Sequence, residues 1–225
     1  MSMFRTSIMP PVVNGLVGWW KLDENTGTIA KDSSISAKDG TLLGTTLPTW
    51  TAGVMGGALS FDGSSSYVET QAPATKATTN VTLAAWFKTR NHTQAGQYIV
   101  HNGSDASSNG YGFAVNSEST TTGEIRLLYS SITWFATGFI VQDNTWYHGV
   151  MVIDSGRVPR LYINGALVYT GPSFTINAPT LRVDIGRNDY SSTYARFFNG
   201  FIDDVRIYNR ALAASEVLSL YNSYL

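Results

Sequence analysis

Asp203 is the residue in this chain whose surroundings most demand chemistry. It lies in Phe201-Ile202-Asp203-Asp204-Val205-Arg206-Ile207-Tyr208, a run of strand character whose side chains alternate with period two, so Asp203 falls on the side of Phe201, Val205 and Ile207. A carboxylate aimed among apolar neighbours needs hydrogen-bond donors, a cation or a protonation shift, and other acidic residues are available to share a cation. Asp203 and Asp204 do not form an acid/base pair with each other, because strand neighbours face opposite sides. His92, His101 and His148 are too scattered for a zinc site, and His148 reads as a core or hydrogen-bonding residue. Serine is plentiful, yet there is no Gly-x-Ser-x-Gly elbow and no strand-turn-helix to hold one. Cysteine is absent, which excludes thiol catalysis and disulfides alike.

The elements that must position these groups are strands. The 225 residues carry 15 Lys and Arg against 16 Asp and Glu, a net charge of -1, which leaves no electrostatic footprint for nucleic acid or an anionic membrane. Only 14% of residues are charged, so the surface is mostly neutral polar and suits neutral hydroxylated ligands or a crowded protein assembly. No run approaches the roughly 20 apolar residues of a membrane helix, and residues 1–17 show no signal-peptide core. Residues 1–14, with Pro10-Pro11, read as an extended arm. From Gly15 onward strand-like runs recur: Leu16–Leu22, Val81–Lys88, Gly110–Val115, Glu124–Tyr129, Trp146–Ile153 and Leu181–Ile185. Ala58–Phe61 and Tyr67–Thr70, separated by Asp62-Gly63, read as a hairpin. Asn164-Gly165 supplies the positive φ angles of a type I′ turn between two further strands. Only Ser215–Tyr221 looks helical. Short strands at hairpin spacing without interleaved helices predict an all-β, antiparallel two-sheet β-sandwich over 15–225, with a short C-terminal helix.

Several segments in order resemble the laminin G-like, concanavalin A-like lectin-glucanase jelly roll in its bacterial or phage form. They are Gly18-Trp19-Trp20-Lys21-Leu22-Asp23-Glu24-Asn25-Thr26-Gly27, Asp32-Ser33-Ser34, Gly57-Ala58-Leu59-Ser60-Phe61-Asp62-Gly63, Trp146-Tyr147-His148, Leu161-Tyr162-Ile163-Asn164-Gly165, Ile185-Gly186-Arg187, and Phe198 through Leu212. The resemblance implies a binding module for carbohydrate or protein, often with a structural calcium. Its implied ligands here are Asp23 or Glu24, Asp32 and Asp203, completed to six to eight oxygens by carbonyls of the 32–40 loop and water. Ser36-Ala37-Lys38-Asp39 departs from the family pattern, which places a Gly-Asn or Asn-rich stretch there, and a lysine argues against a metal. Hydrolases of this resemblance carry Glu-x-Asp-x-x-Glu on one strand face. No glutamate in this chain is followed two residues later by aspartate, so a retaining pair about 5–5.5 Å apart is not expected.

An aromatic ring in a loop can stack on a sugar while polar neighbours read its hydroxyls. Arg187, Asn188, Asp189 and Tyr190 with Tyr194 form the expected glycan cluster, supported by Asn102, Asp105 and Asn109 in the 102–111 loop. The expected function is non-catalytic, lectin-like binding of a glycan or cell-surface polysaccharide, outside the cell or on a virion surface. The alternative is a structural virion protein of a phage, a capsid decoration or tail component that meets other virion proteins through the N-terminal arm.

Overall fold

Alternation along the sequence becomes two antiparallel sheets in the computed structural model, which describes residues 12–104, 108–117, 119–129, 133–188 and 196–224. Among the described residues the strands are β1 (Leu16–Trp20), β2 (Ile29–Ala30), β3 (Gly40–Leu43), β4 (Thr49–Ala52), β5 (Gly57–Asp62), β6 (Tyr67–Thr70), β7 (Val81–Thr89), β8 (Gln97–Ser104), β9 (Asn109–Val115), β10 (Glu124–Tyr129), β11 (Thr133–Ile140), β12 (Tyr147–Ile153), β13 (Pro159–Ile163), β14 (Ala166–Thr170), β15 (Arg182–Ile185) and β16 (Asn199–Tyr208). One helix, α1 (Ala214–Asn222), follows them. The first sheet runs β14-β13-β12-β7-β16-β5-β4, with β1 paired to β16; the second runs β11-β10-β9-β8-β15-β6-β3-β2.

The inner faces close on one core in which Trp20, Phe61, Phe87, Phe113, Phe198 and Ile202 are fully buried. Each such side chain contributes roughly 1.5–3 kcal/mol of hydrophobic free energy, so the sandwich holds without disulfides. A second cluster lies on the outer face of the first sheet. There Ala84, Val150, Tyr162 and Tyr208 receive Leu212 and, from α1, Val217 and Leu220. The helix start is pinned by Glu216, which accepts from the Ala213 amide at 2.9 Å and from both terminal nitrogens of Arg210. Asn164 (φ 52°) and Gly165 (φ 79°) make the expected turn between β13 and β14.

Three expectations are corrected. β5 and β6 do not pair as a hairpin: β5 lies between β16 and β4, and β6 between β15 and β3 in the other sheet. The crossing is built on Asp62, which accepts from the amides of Ser64, Ser65 and Ser66. Asp203 faces outward. A bulge between Asp203 and Arg206, with Asp204 at φ 45°, inserts a residue and reverses the faces, so Ile202, Val205 and Ile207 share the core while Phe201 and Asp203 point to the other side.

The arm also joins the fold sooner than expected. Val12 packs on the outer cluster, its carbonyl accepts from the buried Tyr208 hydroxyl at 2.9 Å, and the Asn14 carbonyl accepts from Arg210 Nε at 2.7 Å. Residues 1–11 lie outside the described residues. Deleting residues 2–13, neutral if they formed a free arm, is now expected to cost about 1–3 kcal/mol because Tyr208 loses its acceptor, which is about 2–10 °C in a domain of this size. An unchanged melting temperature would return Val12 and Val13 to the arm.

Candidate functional site

On the second sheet Val68, Val183 and Ile185 turn inward, so alternation sends Tyr67, Glu69, Arg182 and Asp184 to the outer face. Asp184 stands directly opposite Glu69. Two carboxylates side by side repel, and two arginines settle them: Arg187 Nη2 lies 2.6 Å from Glu69 Oε2 and its Nε 3.3 Å from Asp184 Oδ1, while Arg182 Nε lies 3.2 Å from Glu69 Oε2. The cluster is charge-neutral and partly desolvated, with the Asp184 side chain fully buried. Both carboxylates are engaged by guanidinium partners, which leaves neither free to serve as a nucleophile.

The Arg187 guanidinium also covers the Tyr67 ring, 3.4 Å from its centroid. Tyr67 in turn meets Phe197 at 6.1 Å, and Phe197 is bridged to Arg187 through the backbone. These two rings, with Leu43, Gly44, Thr45, Ser64 and Ser65, line an open depression of about 520 Å³. Its rim is rigid for a local reason. Burial pushes the Asp62 carboxyl up, but the amides of Ser65, Ser66 and Ser64 outweigh it and hold the group far below the usual carboxylate range, and Ser65 Oγ then accepts from the Thr46 amide. Gly44 (φ 133°) permits the close approach, since a Cβ there would lie 2.4 Å from the Ser65 carbonyl. Half-buried rings beside hydroxyls and a fixed guanidinium are the chemistry that accepts a sugar face and reads its hydroxyls.

Of the expected glycan residues, Arg187 is here and Asn188 lies beside it, buried. Asp105, Asp189, Tyr190 and Tyr194 lie outside the described residues. Asn102 and Asn109 are corrected. They are strand residues of β8 and β9 and are buried. Asn102 accepts from the Ala74 amide and donates to the Thr75 carbonyl and the Tyr111 hydroxyl, while Asn109 donates to the Thr180 hydroxyl and accepts from its amide. Both hold loops to the sheet. Tyr67, Glu69 and Phe197 were missed. The alternation in Tyr67-Val68-Glu69-Thr70 marks the face, but the partner, Arg187, is 118 residues away from Glu69.

The expected calcium ligands separate into two groups. Asp32 spends both oxygens on amides: Oδ1 accepts from Trp19 and Ser34, Oδ2 from Lys38. Glu24 Oε1 accepts from the Lys31 amide, while its Oε2 is buried without a partner. Asp23 and Asp203 do come together, on the turn at 53–57, where Gly57 donates to Asp23 Oδ1 at 2.7 Å and Val54 to Asp203 Oδ2 at 2.8 Å. Among the described residues no three acidic or histidine side chains converge as a metal shell, so the set of Asp23 or Glu24 with Asp32 and Asp203 does not assemble. Burial pushes Asp203 up to about 7, helped by the charges of Asp204 and Asp23 and opposed by the Val54 and Met55 amides; its Oδ1 has no partner. Lys38 brings a cation of its own, placing its ammonium on the Pro73 carbonyl. His148 is buried beneath Tyr221 and driven down to about 3 by burial and by Arg206, so it is a neutral structural residue.

A family model described as the concanavalin A-like lectin/glucanases superfamily matches residues 62–218. No curated protein matches the chain. Among solved structures, domain 4 of AbnA, a GH43 extracellular arabinanase from Geobacillus stearothermophilus in complex with arabinotriose, is similar at 20% identity and TM-score 0.73, over 92% of this chain and 98% of that one. The binding domain of Paraclostridial Mosquitocidal Protein 1 is similar at 18% identity and TM-score 0.69, over 94% of this chain and 52% of that one. Trypanosoma rangeli sialidase in complex with sialic acid is similar at 17% identity and TM-score 0.69, over 92% of this chain and 33% of that one. The chain thus spans about half of the toxin domain and a third of the sialidase, and at these identities the likeness is one of fold, a fold that occurs within enzymes.

Proposed function

The chain belongs to the concanavalin A-like lectin/glucanase superfamily, and from that membership we propose that it is a non-catalytic carbohydrate-binding module whose ligand rests on the Tyr67–Phe197 depression. The observation that carries this is the pairing of two half-buried rings with hydroxyls and with a guanidinium whose charge is already matched. A matched cluster has no charge to offer an ion, so the site suits a neutral glycan, such as a cell-surface polysaccharide met outside the cell. At the depression the described carboxylates, Glu69 and Asp184, are both engaged by guanidinium groups, which supports binding without hydrolysis. No observation favours the virion-protein reading over this one.

A shallow open site implies micromolar to millimolar affinity, about -4 to -8 kcal/mol. Phe197→Ala and Tyr67→Ala are each expected to weaken binding at least tenfold in a neutral-glycan array followed by calorimetry, with melting checked on the same samples; Tyr190→Ala belongs in the same panel. If no neutral glycan binds at millimolar concentration, or the ring variants bind as the parent does, the depression is not the site. Calcium is proposed at one place, the Asp23–Asp203 turn, where the support is the uncompensated charge of a buried carboxylate with a partnerless oxygen. It would stabilise by about 2.7 kcal/mol at a hundredfold excess over its dissociation constant.

A further inference from the structure

The outer face of the first sheet is covered where Tyr221 of α1 and Tyr224 just beyond it lie on Trp86 and where the 53–57 turn meets Asp203. Two residues further along the same strands the next outward row is Ser60, Phe201 and Lys88, with Phe201 opposite both Ser60 and Lys88 and with Trp146 immediately before β12 beside them. Trp146 and Phe201 approach to 6.3 Å. Lys88 Nζ sits between them, 5.0 Å from the Trp146 ring and 4.5 Å from Phe201, and the Arg90 guanidinium lies 4.0 Å from Phe201. Arg90 is fixed from behind, donating to the Phe61 carbonyl at 2.8 Å and the Ser60 hydroxyl at 2.6 Å.

Rings hold these cations in place, but among the described residues no carboxylate neutralises them. Among the described residues neither Lys88 nor Arg90 has an acidic partner. Three acids on neighbouring elements are committed elsewhere: Asp62 to the amides of Ser64, Ser65 and Ser66, Asp143 to His92, and Asp203, two residues along from Phe201 on the same face, to the Val54 amide. In a chain with 14% charged residues and a net charge of -1, two ordered, uncompensated cations beside two aromatic rings are unusual. This is the reverse of the Tyr67 depression, where every guanidinium is matched.

We propose that this row is a second saccharide site, on the opposite outer face of the sandwich, and that it takes acidic sugars. The carboxylate of a uronic acid pairs with Lys88 and Arg90, while the apolar edge of the sugar ring lies against Trp146. The assignment of a saccharide rests on the module reading above; the acidic character rests on the charge balance of this row alone.

The test titrates the parent with a galacturonic acid hexamer and with its fully methyl-esterified counterpart, by calorimetry at about 20 and 200 mM salt. The acid form is expected to bind at least tenfold tighter than the ester, with an advantage that shrinks at the higher salt. Lys88→Gln is expected to weaken acid binding at least fivefold with an unchanged melting temperature, Lys88→Arg to retain it, and Tyr67→Ala to leave it intact. Equal affinity for acid and ester, no binding at millimolar concentration, or unaltered binding by Lys88→Gln would overturn the proposal. Loss of acid binding in Tyr67→Ala would overturn it too, by placing one site at the depression. Acid binding that persists while every neutral glycan fails would sink the depression reading and leave this one standing.

Discussion

Between about pH 4 and pH 8, in calcium-free buffer, Asp203→Asn is expected to gain on the order of 2–4 kcal/mol of stability relative to the parent. The carboxyl of Asp203 titrates near 7 in the fold against 3.8 for an ordinary aspartate. Between those values the folded chain binds more protons than the unfolded one. The group's contribution to stability is therefore complete at acid pH and is lost as pH rises through about 7, leaving a charge beside Asp204 and Asp23. The amide variant never acquires that charge and keeps an acceptor for the Val54 amide. Neither melting profile decides the matter alone, because His148 works in the opposite sense: titrating near 3 when folded and near 6.5 when unfolded, it adds stability as pH rises through that window. That slope is common to both proteins and cancels in their difference. A parent-minus-variant difference that stays flat from pH 4 to 8 would mean that Asp203 is ionised throughout. If added calcium then raises the parent's melting temperature and not the variant's, the charge is a metal ligand.

The same residue shows where sequence reasoning stops. Period-two alternation correctly marked β7, β9 and β10, a longer apolar run marked β12, and Asn164-Gly165 marked its turn, because those signals are local. The face of Asp203 was misread because one αL residue, Asp204, shifts the register behind it, and no residue type announces a bulge. Asp62-Gly63 looked like a hairpin turn, yet three following serines lengthen it into a crossing between sheets. Site residues depend still more on pairing at a distance. Arg187 was legible as a polar residue in a turn, but its roles over Tyr67 and between Glu69 and Asp184 arise only when β6 and β15 become neighbours. Asn102 and Asn109 illustrate the converse: polar residues near a turn that folding consumes in buried hydrogen bonds.

Asp32 offers a test that separates structure from metal most cleanly. One carboxylate, 8% exposed, gathers the amides of Trp19 at 2.9 Å and of Ser34 and Lys38 at 2.8 Å each, and it thereby ties β1 to the loop that leads into β3. Around it the Ser33 amide donates to the Trp19 carbonyl at 2.7 Å and Trp20 Nε1 donates to the Lys38 carbonyl, so the loop and the core tryptophan share one scaffold. Asp32→Ala strips three amides of their acceptor at once; at about 1–3 kcal/mol for each buried donor left without a partner, partly regained by water, the loss is roughly 3–5 kcal/mol, or about 10 °C in melting temperature. Asp32→Asn should fall between, since its carbonyl keeps Trp19 and Ser34 while its NH₂ group confronts the Lys38 amide. These deficits are expected to be the same in calcium and in chelator, because the acceptor role needs no cation. If chelation lowers the parent to the level of Asp32→Ala while leaving that variant unmoved, Asp32 is a metal ligand and its three amides are secondary.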